Sequence, residues 1–450
     1  MPDAPINTEG LPALRAGAAQ VDITPPVGTS LAGYFTDRVS DRVIDPLRAH
    51  ALVLESGGER IAIVSCDVIC MPASTADPAR RLIEERTGIR GDHVLICATH
   101  THTGPEMRKG RLIPTNDEWL DRLPEMICSA VEQAVTSMFD AVLLPGRQHE
   151  DALGSNRLGR KRDGTEVFGK QDTLGPAGPI DPEVVALGVR DPEGTVRAVV
   201  VNYAMHADTV GGTGISAGWP GRLAAGIARF YGDECVTVFL NGTCGDINHH
   251  HWRPSRWVGK GIAKATQMGN AMAGLAIEAT ETAEPLETGE IGAIFRRVPI
   301  PYYTRDEQMR AEVEALRARD DLSDADRSMV KQFDEWTHDG EIAQVPVQVL
   351  RVGEVLIVGV PSEVFVKWGL EIKHWSPARW TLVAELANDW FGYIPTSDQA
   401  LRGAYGAKPI LSRRLEADGG RKMTDAVQVA MWELWEGGQA AERPRMGAGR

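Results

Sequence analysis

The stretch HVLICATHTHTGPE, residues 93–106, decides how this chain is read. VLICA is an unbroken apolar run, the pattern of a short strand covered on both faces of a sheet. His100 and His102 follow it, two apart and flanked by threonines, and Gly104-Pro105 closes the segment. In extended backbone, residues i and i+2 point to one face. Two imidazoles therefore meet where a buried strand ends. They can share a metal ion, or one can bind metal while the other moves protons. The competing reading is two polar residues in a turn.

Outward from that strand, strands and helices alternate. ALVLE (51–55) and RIAIVSCDV (60–68) flank SGGE as a hairpin. TADPARRLIEERTG (75–88) reads as a helix with Pro78 in its first turn and Gly88 as its stop. A second helix is expected within 117–139. EVVALGVR (183–190) and VRAVVVNYA (196–204) form a second hairpin, followed by a helix at 220–232 and the strand CVTVFLNG (235–242). A further helix covers 258–283, and IGAIFRRVPI (291–300) is strand-like. Residues 304–336 read as a solvated helical excursion. PVQVLRVGEVLIVGV (346–360) is two strands around Gly353, with a helix beginning near Pro361. TLVAEL (381–386) is the last strand and 423–437 the last helix. The segment 145–182, rich in Gly, Pro and charge, reads as one long irregular loop, and no internal repeat is evident. Hairpins mixed with strand–helix alternation predict an α/β fold with a mixed β-sheet core flanked by helices.

The 450 residues, 43% apolar, are enough for a sizeable core, and the net charge of −14, with no dominant basic patch, argues against a nucleic-acid partner. No stretch approaches 18 uncharged apolar residues, so no membrane span is expected. MPDAPINTEG lacks the basic and apolar regions of a signal peptide. The six cysteines are scattered, several in apolar runs, and read as buried free thiols in a cytoplasmic protein. One catalytic domain is expected over 11–437, with flexible tails at 1–10 and 438–450. Oligomeric state is not encoded legibly.

A zinc site needs more than two imidazoles, usually three protein ligands and an open position. The HxHxDH pattern of two-metal lactamase-type sites is absent, since Thr103-Gly104 follow His102. His206 lies just past a buried strand, in VVVNYAMHADT. His249, His250 and His251 follow TCGDIN, but adjacent side chains diverge, so at most one or two reach one ion. Glu363, in GVPSEVF, sits at a strand-to-helix turn, where sites gather in α/β folds. By sequence logic alone the reading as a first-turn Glu facing the helix dipole is the stronger of the two. Asp67, at a strand end, either orients a histidine or caps the strand. Trp219, Trp252, Trp257 and Trp390 lie near these segments and offer apolar walls or core.

These pieces, in this order, resemble the catalytic domain of the neutral/alkaline (non-lysosomal) ceramidases. ATHTHTGP (98–105) is similar to the family's Thr-His-Thr-His-Ser-Gly-Pro motif, with Thr103 in place of Ser. AGAAQVDITPP (16–26), SNRLGR (155–160), NYAMH (202–206), NGTCGDIN (241–248), GVPSE (359–363) and NDWFGYIPTSDQALRGAYGA (388–407) resemble further family segments. The resemblance implies a ceramidase-like catalytic fold and one Zn2+ ion. His100, His206, Glu363 and Tyr393 would be its ligands, and His102 would stand beside the metal to move protons. Arg157 would lie on the substrate side, with Tyr405 lining the site.

Two departures stand out. Asn248 replaces a family serine, and an amide cannot be an activated nucleophile. The family's C-terminal immunoglobulin-like domain has no room in the sequence. The expected activity is therefore zinc-dependent hydrolysis of a small amide by water, with an esterase or lactonase as the alternative. The missing domain, the missing export signal and the polar TCGDINHHHW segment argue against a fatty-acyl preference. Arg157 or Tyr405 would stabilise the oxyanion, and Asn248 would contact substrate.

Overall fold

The computed structural model of the chain describes residues 14–168, 172–249, 259–286 and 290–442. Three sheets of four or five strands carry the structure, and each is built along the same path. An antiparallel hairpin leads through a helix to a strand parallel to the hairpin's second strand. In the first sheet the hairpin is Arg48–Ser56 and Glu59–Cys66, the helix Ala73–Thr87 and the parallel strand Val94–Ala98. In the second they are Glu183–Arg190 and Val196–Tyr203, Gly218–Tyr231, and Val236–Asn241. In the third they are Ile342–Val352 and Val355–Gly359, Val366–His374, and Trp380–Ala384. A second helix backs each sheet: Asp117–Thr136, Ile262–Glu281 and Gly419–Glu442. No repeat was expected from the sequence, because what recurs is the path rather than the residues.

The strands read as continuous apolar runs because both of their faces are buried. One face of each sheet meets the other two at the centre, where Leu52 and Ile63, Leu187 and Val200, and Leu350 and Ile357 form one cluster. The other face packs on that sheet's helices; Val64 and Ile96, for example, lie with Ile83 and Ile127. Each such fully buried aliphatic side chain contributes about 1.5–3 kcal/mol. Parallel strands that finish together carry their next residues to one place. In this fold that place receives the segments after Ala98, Tyr203, Asn241, Gly359 and Ala384. No described helix is long and apolar enough to cross a membrane, and all six cysteines are free and buried.

Several expectations change. The first helix begins at Ala73, so Pro78 lies inside it, while Gly88 ends it as expected with φ 74° and its N–H on the Glu84 carbonyl. Residues 145–182 hold short strands, three of which (Leu158–Lys161, Glu166–Phe168 and Thr173–Pro176) form a small antiparallel sheet. Strands of three or four residues are too short to show an alternating pattern. The segment 304–336 is two capped helices, Glu307–Arg317 and Asp324–Asp334, that bury Met309, Val313, Met329 and Phe333 against Tyr303 and Ile410. It is therefore not simply solvated. No helix begins at Pro361: Glu363–Val364 is a short strand, and the helix starts at Val366. The tail expected at 1–10 lies outside the described residues, as do 443–450. Residues 438–442 continue the last helix.

Candidate metal centre

The strand ends deliver the imidazoles first. The Nε2 atoms of His100 and His206 are 3.0 Å apart, and those of His102 and His100 are 3.3 Å apart. Ligand atoms of all three rings lie within 4.8 Å of one another, and all three residues are buried. Burial depresses the pKa of each, that of His102 and His206 strongly; the His100 imidazole pushes the same way for His102, and Arg157 and the other two imidazoles do so for His206. The rings are therefore neutral at neutral pH, the form that ligates.

Their other nitrogens separate them. His100 Nδ1 sits 2.7 Å from the Ile69 carbonyl, so this nitrogen donates and Nε2 keeps its lone pair. His206 Nδ1 faces Cys244 Sγ at 3.8 Å, and the Cys244 thiol donates to Glu385 Oε1 at 3.0 Å. Trp219 fixes the same residue from below, its indole N–H on the His206 carbonyl at 3.1 Å. That makes Trp219 a core residue rather than a cavity wall. His102 Nδ1 has no partner among the described residues. Its ring lies against Gly33, where a Cβ would come within 2.6 Å of it. Ligating histidines are usually held through their second nitrogen. His100 and His206 have that support, and His102 lacks it.

Glu363 joins them with Oε2 3.5 Å from His100 Nε2. It is reached through backbone strain: Ser362 has φ 76° and His100 φ 72°, left-handed values that non-glycine residues rarely hold. Glu363 pairs with Tyr393 across a two-residue parallel ladder. The Tyr393 phenol hydrogen-bonds the carboxylate; burial and then that negative charge raise its pKa well above the usual value. The Tyr393 ring lies on Gly406 as His102 lies on Gly33, a Cβ there coming within 2.4 Å. Tyr405 stands edge-on to Tyr393 at 5.6 Å, and the Arg157 guanidinium covers Tyr405 at 4.0 Å. Arg157 Nε and Nη1 are shielded without a partner among the described residues. Asn248 leaves Oδ1 similarly unpaired and donates a long bond, 3.5 Å, to Asp208.

The eight residues expected as ligands or catalytic groups thus line one cavity of about 610 Å³, within the usual range for small-molecule sites. Asp67 holds no ligand histidine. It accepts from Thr99 Oγ1 at 3.1 Å and from the Arg48 N–H at 3.0 Å, and it pairs with His50 at 3.4 Å. His249 sits 2.8 Å from Asp208 Oδ1 and not among the clustered imidazoles. His250, His251, Trp252 and Trp257 lie outside the described residues. Sequence reasoning passed over Asp208, although it stands two residues after His206. It also passed over Glu385, hidden at the end of a strand. Glu385 Oε2 accepts the N–H groups of Cys244 (3.1 Å) and Val364 (2.8 Å), tying the segment behind His206 to the one bearing Glu363. Burial, which outweighs the hydrogen bonds from Cys244, raises its pKa well above the usual carboxylate value.

The donor set fits zinc. Two imidazoles present Nε2 lone pairs to one point beside a carboxylate and a phenol, borderline ligands that suit zinc better than calcium or magnesium.

The sequence matches no protein-family model and no curated protein sequence. Solved structures do share its architecture. A neutral ceramidase from Pseudomonas aeruginosa aligns with a TM-score of 0.73 at 18% identity, over 94% of this chain and 75% of that one. A ceramidase complexed with C2 gives a TM-score of 0.74 at 17% identity, over 94% and 76%. The three hairpin–helix–strand sheets that gather these side chains are therefore a neutral ceramidase-like fold, of mixed α/β class.

Proposed function

We propose that the protein is a zinc-dependent amide hydrolase, with one ion held by His100, His206, Glu363 and Tyr393. The observation that carries this reading is the meeting of neutral, buried Nε2 atoms 3.0 Å apart, their second nitrogens on Ile69 and Cys244, beside the Glu363 carboxylate. The ceramidase names of its structural relatives supply the bond class, since ceramide is an amide. Zinc in this position would supply a Lewis acid that acidifies water and polarises a carbonyl.

The chain's own residues do the rest. His102, neutral at neutral pH, takes the proton from the attacking water at Nε2 and returns it to the departing nitrogen. Arg157, with unspent N–H groups over Tyr405, faces the negative charge that develops on the carbonyl oxygen. Asn248 holds the substrate through its amide and performs no covalent step. Asp208 positions Asn248. Six free, buried thiols suit a reducing compartment, which we take to be the cytoplasm.

A second reading has a specific observation behind it: His102 Nε2 is close enough to be a third imidazole ligand. Its unsupported Nδ1 favours the proton-moving role. Ester or lactone hydrolysis would use the same groups. The test is a matched panel of amides and esters given to zinc-loaded protein. Amide turnover that disappears in Glu363→Ala supports the proposal, and ester turnover without any amide turnover replaces it.

A further inference from the structure

The cavity holds more positive charge than the proposed hydrolysis uses. Three carboxylates line it, and each has a partner. Glu106 is taken in a fork by Arg108, Nε at 2.6 Å and Nη2 at 2.7 Å, and accepts the N–H groups of Met107 and Arg108 as well. Asp208 meets His249 and Lys260. Glu363 belongs to the candidate metal ligands. Two guanidiniums lining the same cavity, Arg157 and Arg111, have no carboxylate within ion-pair distance among the described residues.

Arg157 is already assigned to the scissile carbonyl, and Arg111 is not assigned to anything. Its Nη1 donates to the Gln332 side chain and to the Leu411 carbonyl at 3.3 Å. Its Nε and Nη2 are shielded from solvent and have no partner among the described residues. Its guanidinium carbon lies 4.8 Å from the centroid of the Trp390 ring, which Arg108 (4.9 Å) and Arg414 (5.5 Å) also approach. Burial, then Arg414 and Arg108, push its pKa well below the usual guanidinium value. A cation kept from water, crowded by two others and short of hydrogen-bond acceptors is a costly arrangement unless an anion completes it.

We propose that Arg111 is the specificity residue for a carboxylate carried by the substrate, so that the natural substrate is an amide with a carboxylate on a separate arm. This rests on the amide-hydrolase reading. A guanidinium fork matches a carboxylate's two oxygens. With Arg108 spent on Glu106, Arg157 assigned to the scissile carbonyl and Arg414 outside the cavity lining, Arg111 is the one unassigned charge that faces the cavity, which suits a monoanion better than a phosphate dianion. The wall behind Arg111 includes the helix Asp324–Asp334, through Gln332, and Ser328 of the same helix lines the cavity. That gives this excursion a place in the binding site.

The test compares N-butanoyl amines whose two- to six-carbon arms end in a carboxylate, a phosphate or a neutral carboxamide. The zinc-loaded chain is expected to prefer one carboxylate arm over its carboxamide by at least about tenfold in kcat/KM, as a charge-assisted pair gives. Arg111→Gln should reduce that preference to within about twofold, chiefly through KM, with kcat on the carboxamide kept. Equal rates in the wild type, a preference that survives in Arg111→Gln, or a preference for phosphate overturns the proposal. Calorimetric binding of hexanoate against hexanamide needs no turnover. If no amide is cleaved yet hexanoate binds the wild type and not Arg111→Gln, the hydrolase reading falls and the carboxylate site stands. If hexanoate binds no better than hexanamide, the site falls.

Discussion

Glu363 and Tyr393 stand as direct partners in a parallel ladder two residues long, which sets a carboxylate and a phenol side by side. Burial and the Glu363 charge keep the phenol protonated in the metal-free chain. Only a cation between them would draw the proton off, so Tyr393 is the most weakly held of the proposed ligands. Tyr393→Phe should retain most of its zinc and lose about 10²-fold in kcat, the scale of a lost transition-state contact. Zinc content and single-turnover rates measured on one preparation check this.

His102 differs from its neighbours in the unsupported Nδ1. We expect His102→Ala to keep its zinc and lose about 10²–10⁴-fold in rate, the usual worth of a general acid–base. Loss of zinc in His102→Ala, with retention in His100→Ala, would reverse the two roles.

Glu385 accepts two buried backbone N–H groups and a thiol. Glu385→Ala should destabilise the fold, by about 1–3 kcal/mol for each N–H left unpaired, and weaken zinc binding by roughly 10–100-fold. Glu385→Gln keeps the acceptor oxygen and should lose far less of both. Thermal melts and zinc titrations distinguish the pair; equal damage from the two substitutions would remove Glu385 from this role.

Acid should loosen the metal-free chain. His102 stays neutral when folded, its pKa held well below the usual value by burial and by His100, while in the unfolded chain it takes a proton near pH ~6.5. Below that pH the unfolded state binds more protons than the folded one, so stability falls as pH falls. His102→Gln should make that fall shallower by up to about 1.4 kcal/mol per pH unit. Tm measured in a chelator from pH 7.5 to 5.5 gives the comparison, and identical slopes would contradict it.

Much of this was legible in the sequence, for a physical reason. Strands covered on both faces, such as VLICA and VLIVG, announce themselves as apolar runs, and polar residues directly after them mark the site edge. His100 and His206 were therefore visible, and Glu363 was picked out through the family resemblance. Glu363 also shows the limit: spacing alone fitted a first-turn helix residue, and the two-residue ladder to Tyr393 depends on a partner thirty residues away. Asp67 was placed near the site but not on it, because a strand end does not say which neighbour a carboxylate faces. Arg111 sits in a loop without periodicity. Its lack of a carboxylate within ion-pair distance among the described residues is a three-dimensional fact, set by Arg108 turning back on Glu106.

The central claim is a metal ion held where the strand ends meet, and zinc content by elemental analysis tests it most directly. Wild type and His206→Ala should be purified together, exposed to zinc and freed of loose metal by gel filtration. The account predicts one zinc per wild-type chain and almost none in His206→Ala. A wild type that hydrolyses amides without metal, or a folded His206→Ala that keeps a full zinc, would contradict it.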